Sequence, residues 1–175
     1  MKQIIPLLLA ALIGITPIAY GQKDTEKDPI IELFGQYEDK KGVEFVSIAP
    51  ALLELMKSGK SSDPKTQELI SKIAGLYIIT ITDGKSVPGP NTREQFTAAL
   101  KAIVKADFER IMTVKEAGER MELYVRSKTD GCKDCKSALL FTTQGSKVIT
   151  VVHLVGTIDK PVIDAVMSGE IGMLK

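Results

Sequence analysis

The sequence predicts one α+β domain, a mostly antiparallel sheet of about six strands with helices packed largely on one face. Three observations carry this. Helix-period and strand-like segments alternate through the first two thirds of the chain. Four strand-like runs follow one another between Glu109 and Val155, joined by turn residues, as in a meander. The stretch from Ile30 to Lys175 is the size of one ordinary domain.

The elements justify themselves in order. "IIELFGQY" after Pro29 reads as a short lead-in helix, and Val43 to Ile48, "VEFVSI", alternates as a strand. Pro50 opens a helix whose apolar side holds Leu52, Leu53, Leu55 and Met56. Asp63 can cap a second helix started by Pro64, with Leu69, Ile70, Ile73 and Ala74 along one side. "LYIITIT", Leu76 to Thr82, is β-branched and stops at Asp83-Gly84. Asn91 and Glu94 resemble a capping box, and Phe96, Ala99, Leu100, Ile103 and Val104 give the helix that follows one apolar stripe.

Two hairpins come next. A two-residue turn at Ala117-Gly118 would set Met112 opposite Leu123, Val114 opposite Met121, Thr113 opposite Glu122, Ile111 opposite Tyr124 and Glu109 opposite Arg126. A similar turn at Gln144-Gly145 would set Lys136 opposite His153 and Cys135 opposite Leu154. Val148 to Val155 is apolar at nearly every position, which suits a central strand covered on both faces. Asp159 and Pro161 start a final short helix carrying Val162, Ile163, Val166 and Met167.

The first 21 residues read as a signal peptide. Lys2 is the basic n-region, Ile4 to Ile15 the apolar h-region, and Ala19-Tyr20-Gly21 a small-residue cleavage site. Residues 22–29 are polar and expected to be flexible, and residues 30–175 form the domain. Gly14 and Pro17 interrupt the apolar run, so the segment is expected to be cleaved, leaving no stable membrane span. The expected location is the periplasm or cell envelope.

Charge excludes some partners. The chain has 23 basic and 22 acidic residues; without Lys2 the mature balance is 22 to 22. A neutral, evenly mixed surface gives no reason to expect nucleic acid or an anionic membrane as partner. "SGKSS", residues 58–62, fails as a phosphate loop, because Glu54 stands where that motif needs glycine. No dinucleotide fingerprint, zinc-protease helix or nucleophile elbow is present, and no cofactor is expected.

The candidate site is "GCKDC". Cys132 and Cys135 are the only cysteines and His153 the only histidine, and the second hairpin register would bring them close together. In an exported protein the pair suits a disulfide across a tight loop. Thiol-redox work is the alternative. It needs a depressed thiol pKa, usually at a helix start, whereas this pair precedes strand-like "KSALLFTT". A zinc site would need a fourth ligand from Asp130 or Asp134 beside the two cysteines and His153, so no metal is assigned. His153 itself sits in an apolar strand, where a hydrogen-bonded core histidine is the ordinary reading.

Three segments also carry a resemblance: "LFGQYEDKKGVEFVSIAPALLELM", "FERIMTVKEAGERMELYVRS" and "KVITVVHLVGTID". In that order and spacing they resemble the domain of unknown function 4252 family, small exported proteins of Bacteroidota-type bacteria, many of them predicted lipoproteins. The resemblance implies an envelope location and one α+β domain, and brings no assigned site residues. This chain lacks the cysteine to which a lipoprotein's lipid is attached. Together these readings point to a non-enzymatic binding or accessory module acting on an envelope protein or a ligand, with a periplasmic thiol-redox protein as the alternative.

Overall fold

The computed structural model describes residues 28–48, 50–58, 64–83, 91–127 and 137–167. Six strands form one antiparallel sheet in the order β1-β2-β6-β5-β4-β3. They are β1 (Val43–Ile48), β2 (Ile73–Thr82), β3 (Glu109–Glu116), β4 (Glu119–Arg126), β5 (Ala138–Gln144) and β6 (Val148–Gly156). The helices are α1 (Pro29–Gly35), α2 (Pro50–Ser58), α3 (Pro64–Lys72), α4 (Thr92–Asp107) and α5 (Lys160–Met167). The α+β class, the antiparallel sheet and the strand count agree with the sequence reading.

The helices do not gather on one face. On the first face α1 and α4 bury Ile30, Leu33, Phe34, Phe96, Leu100 and Val104 against Ile79, Ile81, Leu140, Ile149 and Val151. On the second, α2, α3 and α5 bury Leu53, Leu69, Val162, Ala165 and Val166 against Leu76, Leu139, Phe141, Val152 and Leu154. The reason is in β6 itself. Neighbouring side chains point to opposite faces, and the run from Val151 to Val155 is buried throughout. A strand apolar on both sides needs a cover on both sides.

Three local features depart from the expected pattern. Ile73 is not the end of α3 but the first residue of β2; the chain passes from helix to strand with a register irregularity between Ile73 and Gly75. At that junction Gly156 of β6 approaches Lys72 so closely that a Cβ would stand 2.1 Å from the Lys72 carbonyl oxygen.

The first hairpin keeps the expected pairs Met112–Leu123, Thr113–Glu122 and Val114–Met121 around its two-residue turn. Ala117 and Gly118 both have positive φ, 47° and 88°, as a tight hairpin turn of this kind requires. A bulge at Ile111 then breaks the ladder. Arg110, not Ile111, faces Tyr124, and Glu109 faces Val125 instead of Arg126. Ile111 is left exposed, and Arg110 joins the face that carries Glu122 and Tyr124.

The second hairpin is shifted by four residues. Gln144 pairs with Ile149, and the connection is Gly145, Ser146 and Lys147, closed by the Gly145 N–H donating to the Val148 carbonyl, in place of a two-residue turn at Gln144-Gly145. His153 therefore pairs with Leu140, not Lys136, and Leu154 with Leu139, not Cys135.

Candidate functional site

Cys132 and Cys135 lie outside the described residues. In the observed register Leu140, not Lys136, faces His153, so the hairpin pairing does not set the cysteines beside it.

What surrounds His153 is a buried ionic cluster. His153 is fully buried on β6, between Tyr77 of β2 and Leu140 of β5. Its Nε2 lies 3.1 Å from Asp28 Oδ2. A carboxylate can only accept, so Nε2 carries its proton toward Asp28. The same oxygen accepts from Arg126 Nη2 at 2.5 Å. The other, Oδ1, accepts from the Ile30 backbone N–H at 2.9 Å and caps α1. Burial alone would raise the Asp28 pKa, but the hydrogen bonds and charges of His153 and Arg126 outweigh it and hold the carboxyl well below the usual carboxylate range. The Tyr77 and Phe108 rings flank the imidazole with centroids 6.3 and 6.2 Å away, and Arg126 lies over the Phe108 ring.

The sequence puts Asp28 in a flexible lead and starts the first helix at Pro29; the second expectation agrees with the structure and the first does not. Both residues belong to the fold: Asp28 is buried and Pro29 is the first residue of α1. The dipeptide Asp28-Pro29 was a usable signal, a capping side chain followed by proline at the first helical position. Nothing local could have named Arg126 or His153 as its partners.

His153 Nδ1 has no hydrogen-bond partner among the described residues. Among the described residues no group of three or more His, Cys, Asp or Glu side chains could hold a metal ion. The cluster's evident work is to tie the start of the domain to β4 and β6.

On the same face, beyond Phe108, lies a cleft of about 430 Å³ between α4 and the outer strands. That volume is within the range of small-ligand sites. Helical spacing builds one wall. Leu100 and Val104, one turn apart, turn their apolar side inward, while Thr97, Lys101 and Lys105 form a parallel polar edge. Phe108 and Ile149 extend the apolar floor, and Tyr124, Thr142 and Gln144 complete the sheet side. Arg110 reaches the cleft because the bulge at Ile111 turns it there.

Among the described residues Glu122 is the only acidic one lining the cleft, and its charge is already engaged. Its Oε1 accepts from Arg120 Nη2 at 2.6 Å and Arg110 Nη1 at 3.0 Å, and the Tyr124 hydroxyl donates to the carboxylate as well. Burial would raise the Glu122 pKa; these donors outweigh it and lower it. Burial, and then the bond to Glu122, raise the Tyr124 pKa, so the phenol stays protonated at neutral pH.

Among the described residues no helix is long and apolar enough to cross a membrane. A family model described as "Domain of unknown function (DUF4252)" matches residues 37–166. Neither a curated protein nor a solved structure matches the chain.

Proposed function

The chain belongs to the DUF4252 family, and from that premise we propose that it works as an exported envelope protein, a non-enzymatic binding or accessory module that takes a small ligand in the cleft beneath α4. One observation carries the proposal. The cleft joins an apolar floor to converging polar groups, the usual makeup of a small-molecule site. In the buried ionic cluster next to it, His153 Nδ1 has no hydrogen-bond partner among the described residues. Export rests on the n-region, h-region and Ala19-Tyr20-Gly21 sequence. A Cys132–Cys135 disulfide follows from that compartment. Replacing both cysteines with serine should cost at most about 2 kcal/mol.

The test is native mass spectrometry of protein recovered from the envelope of its own host. The expected species begins at Gln22, is 2 Da lighter than the reduced chain, and carries a small molecule that Gln144→Trp, which puts a bulky ring into the cleft, excludes. A full-length chain from the cytoplasm would overturn export. A copurifying molecule retained equally by Gln144→Trp would overturn the cleft.

A further inference from the structure

We infer that the ligand of this cleft is a free amphipathic monoanion, an apolar body with one carboxylate or sulfonate-like head. The inference rests on the cleft being the binding site and concerns which molecules it accepts.

Three cations line the cleft, Lys101, Lys105 and Arg110, against one carboxylate, Glu122. Glu122 is committed to Arg110, Arg120 and Tyr124. No carboxylate is paired with Lys101 or Lys105 among the described residues. The lining thus keeps two positive charges on one edge, on side chains four residues apart that stand side by side on α4. One anionic group can lie between them.

The floor decides the rest of the molecule. Leu100, Val104, Phe108 and Ile149 offer an apolar surface directly below that edge. Leu100, Val104 and Ile149 are buried, so the surface is recessed. A purely ionic ligand would leave this floor unused, and a neutral apolar one would leave the lysines unmatched. The recess also favours a molecule that enters from solution over a headgroup held in a bilayer. The chain's overall charge is nearly balanced, so the attraction is local to this edge.

The experiment uses two fluorescent probes that differ by their anionic group, 1-anilinonaphthalene-8-sulfonate and N-phenyl-1-naphthylamine, with the oxidised protein. The sulfonate should bind saturably at one site, at least tenfold tighter than the neutral amine. Lys101→Glu combined with Lys105→Glu should weaken the sulfonate about tenfold and leave the amine unchanged. Both lysines are exposed on α4, so the fold should survive, and an unchanged melting temperature checks this. Val46→Lys, on the far face, should change neither probe. Decanoate below its micelle concentration should displace the sulfonate, and decanol should not. Phosphatidylglycerol vesicles should not sediment the protein.

Equal affinity for both probes, each abolished by Gln144→Trp, would overturn the anion class and leave the cleft standing. Binding indifferent to Gln144→Trp would overturn the cleft as well. Sedimentation with vesicles, without displacement by decanoate, would overturn the free ligand in favour of a membrane lipid.

Discussion

Asp28 and His153 stand 125 residues apart in sequence and 3.1 Å apart in the fold. Arg126 joins the same carboxylate oxygen, so one acidic side chain fixes the start of α1 to two strands of the sheet. Side chains of all three are at least nearly nine-tenths buried. Removing one partner from such a group leaves the others without compensation. Asp28→Ala should therefore cost about 3–5 kcal/mol by urea denaturation. Asp28→Asn keeps the capping oxygen and should lose less, by about 1 kcal/mol. A loss below about 0.5 kcal/mol for Asp28→Ala would place the cluster among surface pairs of little consequence.

The depressed Asp28 pKa has a pH signature. A carboxyl with a lower pKa folded than unfolded contributes stability that is full above the unfolded value, about 3.9, and is lost as pH falls toward the folded value. The stability advantage of the wild type over Asp28→Asn should be constant from neutral pH to about pH 5. It should then shrink steadily as pH is lowered below about 4. Urea midpoints of the two proteins across that range measure it. An advantage that grew in acid would have the wrong sign.

Gly156 should not tolerate a side chain. Its φ is 157°, and a Cβ there would meet the Lys72 carbonyl at 2.1 Å and the Ala74 amide nitrogen at 3.1 Å, all backbone that cannot rotate away. Gly156→Ala should destabilise by about 3 kcal/mol through this clash, read as a lower midpoint in denaturant. A midpoint equal to wild type would mean that β6 and the α3–β2 junction lie farther apart.

The β3–β4 turn has room for improvement. Ala117 holds a φ of 47°, which costs an ordinary side chain roughly 1–2 kcal/mol. Ala117→Asn gives the Asn-Gly pair favoured in such turns and should raise stability by about 1 kcal/mol. A thermal melt at neutral pH is sufficient to show the direction.

Strands and helices were legible in the sequence where pattern and punctuation agreed. Val43–Ile48, the α4 stripe and the Ala117-Gly118 hairpin all follow from local residues. The double cover of the sheet was legible too, in the nearly continuous apolar run of β6, although helices on one face were expected. The shifted second hairpin was not. A shift of four is even, so every side chain keeps its face and the apolar pattern fits either register. The bulge at Ile111 was equally hidden, since it shows only when the two strands are counted against each other. That bulge decides which residue lines the cleft. The cleft and the Asp28 cluster both draw on residues far apart in the chain, which no single stretch of sequence places together.

The most direct test of the binding proposal is amide chemical-shift mapping of the protein titrated with decanoate. Binding in the cleft predicts saturable shifts concentrated at Leu100, Val104, Phe108, Tyr124 and Ile149, with Val46, Met112 and Val114 unmoved. Shifts clustered at Val46 and Met112 instead, or none at saturating decanoate, would contradict it.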